Sequence, residues 1–363
     1  MATGPATWDY RDAHHGRFGR TYFRRYGDGL VSSLGLGTYL GAPTDAVDER
    51  YLEAITTALE SGCNVLDTAI NYRCQRSERV VGQALRESDV ERDAVFVSTK
   101  GGFVPFDGDR PSNPGRYVAR EYVDSGIVDR EDLVAGSHSL APDFLADQLE
   151  RSLENLGTTP DLYYVHNPET QLREHSREEV YDALEAAFVL LEERAAAGDI
   201  GHYGVATWEA FRVPPEHPSY LSLPAVVERA RSASREAGTA GTHFRAIQVP
   251  FNVVMADAFT VDAHETPDGP TCALWFAANA GLNVFTSASI AQGELTEDGA
   301  IPGPVAARLE GETPTQRAIT FARSAPGVTA SLVGMANAEH VTANLEACTH
   351  DPLGAQAFDA VFE

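Results

Sequence analysis

Asp67, Lys100 and His166 each stand at the end of a short β-rich run, and Tyr72 follows Asp67 by five residues, close enough for the chain to turn back to the same place. A carboxylate, an ammonium, a phenol and an imidazole gathered in one poorly solvated mouth can carry out general acid chemistry. Lys100 stands out by composition: of 28 basic residues it is the single lysine, the other 27 being arginine. A compact ammonium fits beside another group where a forked guanidinium does not. Paired with Asp67, it stays charged and stabilises the anion of an adjacent phenol. A downward shift of ~2 units from the tyrosine reference of about 10 corresponds to roughly 2.7 kcal/mol. Such a shift moves Tyr72 toward general-acid duty near neutral pH, with His166 orienting a carbonyl. Each residue alone has an ordinary structural use: a strand-ending Asp caps a helix, a Lys solvates a rim, a strand His bonds within a core.

The elements that must position these groups alternate regularly. Eight β-rich runs are expected at 34–38, 64–69, 95–100, 162–166, 203–207, 246–251, 283–287 and 331–334. Between them lie amphipathic segments: Val47, Tyr51, Ile55 and Leu59 recur every four residues, as do Leu145, Leu149 and Leu153. Ser176 and Glu179 have capping-box spacing, Thr313-Pro314 reads as N-cap and first helical residue, and Gly62, Gly157 and Gly198 follow helical runs as stop signals. Eight strand-then-helix units predict a closed (β/α)₈ TIM barrel in a single domain, with the barrel at about 30–350; a doubly wound open sheet is the runner-up. Residues 18–32, broken by Gly27-Asp28-Gly29, predict a hairpin ahead of the first barrel strand. The connection at 101–139, after the third strand, is long enough to be functional and is expected over the C-terminal mouth, where this fold keeps its active sites.

Several stretches together resemble the aldo-keto reductase superfamily: Leu36-Gly37-Thr38, Leu66-Asp67-Thr68-Ala69-Ile70-Asn71-Tyr72, Ser98-Thr99-Lys100, Asp161-Leu162-Tyr163-Tyr164-Val165-His166, Gln248 with Asn252, Gln292-Gly293, and Gly334 with Asn344. The resemblance implies a nicotinamide oxidoreductase that interconverts an aldehyde or ketone and an alcohol. Its tetrad would be Tyr72 as acid, Lys100 and Asp67 tuning it, and His166 orienting the carbonyl. It also implies that Thr38 and Tyr39 lie near the cofactor, Gln248 holds the carboxamide, Gln292-Gly293 runs along the pyrophosphate, and Gly334 and Asn344 lie at the adenine end.

Departures from the family pattern bear on the cofactor. Ala206-Thr207 stands where many members have Ser-Asn, so Thr207 is a partial replacement. Ser287-Ala288-Ser289-Ile290 lacks the aromatic that stacks on the nicotinamide; Phe285 and Trp208 are the substitutes to weigh, both more expected in the core. Met335-Ala336-Asn337 lacks a Lys or Arg to pair with a 2′-phosphate, so NADP, which the resemblance favours, competes with NAD. Two extra residues after Tyr72 are expected to bring Arg76 to the mouth. A nicotinamide-binding redox sensor or partner-binding barrel with weak turnover is the alternative. A metal-dependent barrel hydrolase using Asp67, His166 and His138 ranks lower, because no H-E-x-x-H spacing occurs. Gly35-Leu36-Gly37-Thr38-Tyr39-Leu40-Gly41 misses the dinucleotide spacing by one residue, and Asp107, Asp109, Arg110 and His138 belong to the long loop.

Charge bounds the partners. With 53 acidic residues the net charge is −25, which repels nucleic-acid phosphates and anionic lipid and leaves a small carbonyl or alcohol as the expected partner. No apolar run approaches the ~20 residues of a membrane span, and residues 1–19 have no stretch of signal-peptide type, so a cytoplasmic location is expected. Cys63, Cys74, Cys272 and Cys348 have no zinc or redox spacing. An acidic surface nearly free of lysine suits a halophilic cytosol, where a Debye length of about 3 Å at 1 M screens self-repulsion. Dialysis into dilute buffer, followed by circular dichroism, is expected to unfold the protein; full stability there would contradict the halophilic reading.

Overall fold

The computed structural model describes residues 1–362. A helix over Gly4–His14 precedes a hairpin of β1 (Phe23–Tyr26) and β2 (Gly29–Ser32), in register from Phe23 opposite Ser32 to Tyr26 opposite Gly29. Gly27 takes the left-handed conformation that its two-residue turn requires. The barrel strands follow: β3 (Leu34–Gly37), β4 (Val65–Asp67), β5 (Phe96–Gly101), β6 (Leu162–His166), β7 (His202–Ala206) and β8 (Phe244–Pro250). A small hairpin of β9 (His264–Thr266) and β10 (Gly269–Thr271) comes next, then β11 (Asn283–Ser287) and β12 (Val328–Gly334). Strands β3 to β8, β11 and β12 pair in parallel, each with its neighbour, and close into a barrel, as the alternating pattern predicts.

The barrel interior is filled rather than hollow. Val65, Phe96, Leu162, Tyr164, Ala246, Phe285, Ala330 and Leu332 meet inside, and Tyr26 and Val31 of the hairpin join the same cluster. Phe96 and Phe285 stack with centroids 5.5 Å apart. Outside, the helix Asp45–Glu60 buries Val47, Tyr51, Ile55 and Leu59, the apolar stripe read from sequence. The helix Arg177–Ala197 carries the expected capping box at Ser176 and Glu179 and stops at Gly198, φ 85°. Thr313 likewise caps Pro314–Ser324. Such punctuation fixes where each helix hands the chain back to a strand, and therefore which residues sit at the mouth.

Two barrel strands begin more than one residue earlier than their apolar runs. The last starts at Val328 and the sixth at Phe244, because a polar second residue, Thr329 or Arg245, masks the strand pattern. The N-terminal helix and the β9–β10 hairpin had no clear periodic signal. The long connection also differs in character from a loop draped over the mouth. It holds a helix at Pro114–Val118 and a small core of Val104, Val118, Tyr122, Val128 and Leu133 packed on Phe144 of the following helix. Its base is closed by Ser139 donating to the Gly102 carbonyl at 2.9 Å.

Candidate functional site

The end of β4 and the end of β5 place Asp67 and Lys100 on neighbouring strands, Asp67 lying opposite Ser98 in register. Lys100 is fully buried, and its Nζ donates to Asp67 Oδ2 at 2.6 Å and to the Thr68 carbonyl at 2.8 Å. The other carboxylate oxygen accepts from Ser98 Oγ at 2.8 Å and Gln248 Nε2 at 2.9 Å. A carboxylate can only accept, so this contact fixes which end of the Gln248 amide faces it. Burial alone would pull the Lys100 ammonium down, but Asp67 and then Tyr72 more than offset it, and its pKa lies above the usual lysine value.

After Asp67 the chain turns back: Ile70 N–H donates to the Lys100 carbonyl at 3.2 Å and Tyr72 N–H to Ala69 at 3.0 Å. The Tyr72 ring therefore lies over the lysine, its centroid 4.9 Å from Nζ. His166, at the end of β6, meets that ring edge-on at 5.9 Å. Burial, with Lys100 and His138 adding to it, pushes the His166 imidazole well below the usual histidine range, so it is neutral. Its buried Nδ1 has no partner among the described residues.

The four groups meet as expected, but the phenol does not shift as expected. Burial raises the Tyr72 pKa above its ordinary value; Lys100 opposes this and Asp67 reinforces it. The reason is that the carboxylate 2.6 Å from the ammonium sets its own negative charge against the cation's at the phenol, so the net attraction does not repay the phenol's desolvation.

A cavity of about 420 Å³ opens at the strand ends, with Asp67, Tyr72 and His166 on its wall and Lys100 beneath. Of the residues assigned to a cofactor, Thr38, Tyr39, Thr207, Gln248, Gln292 and Gly334 line it. Gly293 and Asn344 do not: Gly293 follows Gln292 in a left-handed bend, and Asn344 is buried on the helix Ala338–Glu346. The Thr38 hydroxyl is turned to the Asp67 carbonyl at 3.2 Å. By contrast the Thr207 hydroxyl is buried and unpartnered among the described residues.

Three sequence expectations change. Trp208 is not core; it is 37% exposed and lines the mouth, held by Glu169 Oε1, which accepts from Trp208 N–H at 2.6 Å and Glu209 N–H at 3.0 Å. Arg76 lies off the mouth in ion pairs with Asp45 and Asp48. Of the long loop only Phe103 reaches this cavity. His138 instead backs His166: its Nε2–H donates to the His166 carbonyl at 2.7 Å while Nδ1 accepts from Gln171 at 2.8 Å, and burial lowers its pKa to about 4. With both nitrogens engaged it offers no metal a lone pair, and no cluster of three potential ligands occurs among the described residues. Asn71 and Asn167 also line the cavity and were not anticipated, although both follow strand ends closely.

Comparison with known proteins adds a family likeness. The model of the aldo/keto reductase family matches residues 33–215. Versiconal hemiacetal acetate reductase of Aspergillus parasiticus is 30% identical over 165 residues, 45% of this chain and 43% of that protein. An NADH-specific methylglyoxal reductase of Escherichia coli is 29% identical over 145 residues, 38% of this chain and 39% of that protein. The matches thus span less than half of either relative. Among solved structures, an aldo/keto reductase of Klebsiella pneumoniae in complex with NADP and acetate superposes with a TM-score of 0.62, at 21% identity and 94% coverage of both chains, a likeness of fold.

Proposed function

This chain belongs to the aldo/keto reductase family, and on that premise we propose that it is an NAD(P)(H)-dependent oxidoreductase that interconverts an aldehyde or ketone and an alcohol, with Tyr72 as the general acid. The observation that carries the reading is the buried Lys100–Asp67 pair lying beneath the Tyr72 ring, with a neutral His166 at its edge. A bound nicotinamide would supply the hydride. The chain's own part is protonic. Burial raises the Tyr72 phenol above its ordinary value; protonated at neutral pH, Tyr72 releases its proton to a carbonyl oxygen as negative charge grows there. The ammonium of Lys100 is placed to bear the resulting phenolate without moving. His166, having no charge, orients the carbonyl as a hydrogen-bond partner.

The residues present suit a nicotinamide. Thr207 brings an unpartnered hydroxyl to the wall, an orphan that a carboxamide satisfies. Gln248, committed through Nε2 to Asp67, keeps its carbonyl oxygen for the carboxamide amide. The wall formed by Ser287, Ala288, Ser289 and Ile290 has no aromatic ring, and Trp208 on another wall supplies one. That gap is what favours the second reading, a cofactor-binding sensor or partner-binding barrel with poor turnover; the complete tetrad favours the enzyme.

At 335–337 no cation awaits a 2′-phosphate: Met335 is buried, and Asn337 Oδ1 accepts from His340 N–H at 2.8 Å. The reading therefore includes use of either cofactor in a cytoplasmic, high-salt setting.

Steady-state reduction of a panel of aldehydes and ketones in high salt tests the assignment. Tyr72→Phe is expected to lower kcat by ~10²–10⁴, the usual worth of a general acid, with cofactor affinity retained; unchanged turnover would remove Tyr72 from its role. Fluorescence titration with NADH and NADPH is expected to give dissociation constants within ~10-fold, about 1.4 kcal/mol. A preference beyond 100-fold for NADPH would contradict the reading of 335–337.

A further inference from the structure

Immediately after Tyr72 the backbone does something unusual for residues with side chains. Arg73, Cys74 and Gln75 all have positive φ, at 49°, 57° and 69°. Three consecutive left-handed residues that carry a Cβ form only where the surroundings force them. The forcing contacts are visible. The Arg73 side chain is 1% exposed; its Nε donates to the Ala42 carbonyl at 3.2 Å, and its Nη2 donates to the Thr44 carbonyl at 3.4 Å and pairs with Asp48. The guanidinium also lies 5.2 Å from the centroid of the Tyr51 ring, whose hydroxyl donates to the Leu40 carbonyl at 2.8 Å. Arg76 Nε donates to the second Asp48 oxygen at 2.7 Å. On its far side the turn is tied to the long loop, Gly108 N–H donating to the Cys74 carbonyl at 3.0 Å and Gln75 Nε2 to the Phe106 carbonyl at 3.1 Å.

Arg73 thus joins two rim segments: the stretch after β3 that carries Tyr39 and Leu40, and the turn that carries Tyr72. The rings of Tyr39 and Tyr72 meet edge-on at 5.0 Å across that junction. Arg73 does not line the cavity, so its action on the site runs through the turn it holds. We propose that Arg73, clamped by Asp48 and the Ala42 and Thr44 carbonyls, is a positioning residue that holds the left-handed turn and so keeps the Tyr72 phenol over Lys100. The inference rests on the reading of Tyr72 as the acid. It accounts for the two extra residues after Tyr72: they lengthen the connection enough to form the three-residue left-handed turn, which Arg73 anchors. Lysine cannot replace it, because one ammonium cannot reach two carbonyls and a carboxylate in the fixed fork that a guanidinium presents.

The test uses 4-nitrobenzaldehyde as the carbonyl probe and the full chain in high salt. It compares wild type, Tyr72→Phe, Arg73→Ala, Arg73→Lys and Asp48→Ala. Three quantities are read: kcat, cofactor affinity by protein fluorescence, and the primary isotope effect with cofactor deuterated at the transferred position. A misplaced phenol slows the chemical step, so Arg73→Ala is expected to lower kcat at least tenfold, leave the cofactor dissociation constant within twofold, and raise the isotope effect. Arg73→Lys is expected to recover the melting temperature through its pair with Asp48 while kcat stays severalfold low. Asp48→Ala is expected to shift kcat and isotope effect the same way, less strongly. A role confined to stability would lower melting without moving the isotope effect.

Wild-type kcat and isotope effect in folded Arg73→Ala would overturn the proposal. If that variant does not fold, wild-type values in both Arg73→Lys and Asp48→Ala overturn it equally. Wild-type turnover that Tyr72→Phe leaves intact would instead overturn the assignment of the acid, and this inference with it.

Discussion

A buried ion pair organises the mouth of this barrel. Moving an ammonium and a carboxylate out of water costs several kcal/mol per ion, and only close geometry with every remaining lone pair satisfied repays it. The Lys100–Asp67 contact meets those terms: a 2.6 Å bond, a second acceptor at the Thr68 carbonyl, and Ser98 and Gln248 completing the carboxylate. The pair comes from the adjacent strands β4 and β5 and its remaining partner from β8, so the full set of contacts assembles only when those three strands are in place. A guanidinium would bring five donors to a place that offers two acceptors. That mismatch is a physical reason for a lone lysine in a chain otherwise supplied with arginine.

The pair also decides what the phenol can be. With burial and the Asp67 carboxylate both opposing it, the ammonium does not turn Tyr72 into a strong acid at rest, and the proton stays on. A resting acid that is fully protonated at neutral pH suits proton donation, provided the anion is met when it forms. The nearby ammonium supplies that condition without rearrangement. His138, 28 residues before His166, holds the His166 carbonyl and adds to the lowering of its imidazole pKa.

Much of this was legible in the sequence, for reasons that differ by residue. Strand ends are marked by the change from apolar runs to polar residues, so Asp67, Lys100 and His166 could be placed without coordinates. Helix ends were marked by Ser176, Thr313, Gly157 and Gly198, whose capping chemistry is local. What failed was long-range. The Tyr72 shift depends on how burial and the opposing charges of Lys100 and Asp67 balance at the phenol, which no spacing encodes. Trp208 reads as core by residue type, yet Glu169 caps the backbone of its turn and leaves the indole at the mouth. The two extra residues after Tyr72 predict Arg76 at the mouth; the left-handed turn sends its side chain to Asp45 and Asp48 instead. The long connection looked like a lid because length was its visible feature, whereas its small core around Tyr122 forms only in three dimensions.

The balance between Lys100, Asp67 and burial at Tyr72 is best measured by the pH dependence of kcat/KM for carbonyl reduction, in wild type and in Asp67→Asn. The protonated phenol is the active form, so the rate is lost as pH rises through its pKa. In wild type that loss is predicted above the ordinary tyrosine value of about 10; Asp67→Asn removes a contribution that raises the phenol and frees the ammonium, and the loss moves to lower pH. A wild-type profile that already falls well below pH 10, or one that Asp67→Asn leaves in place, would contradict the account.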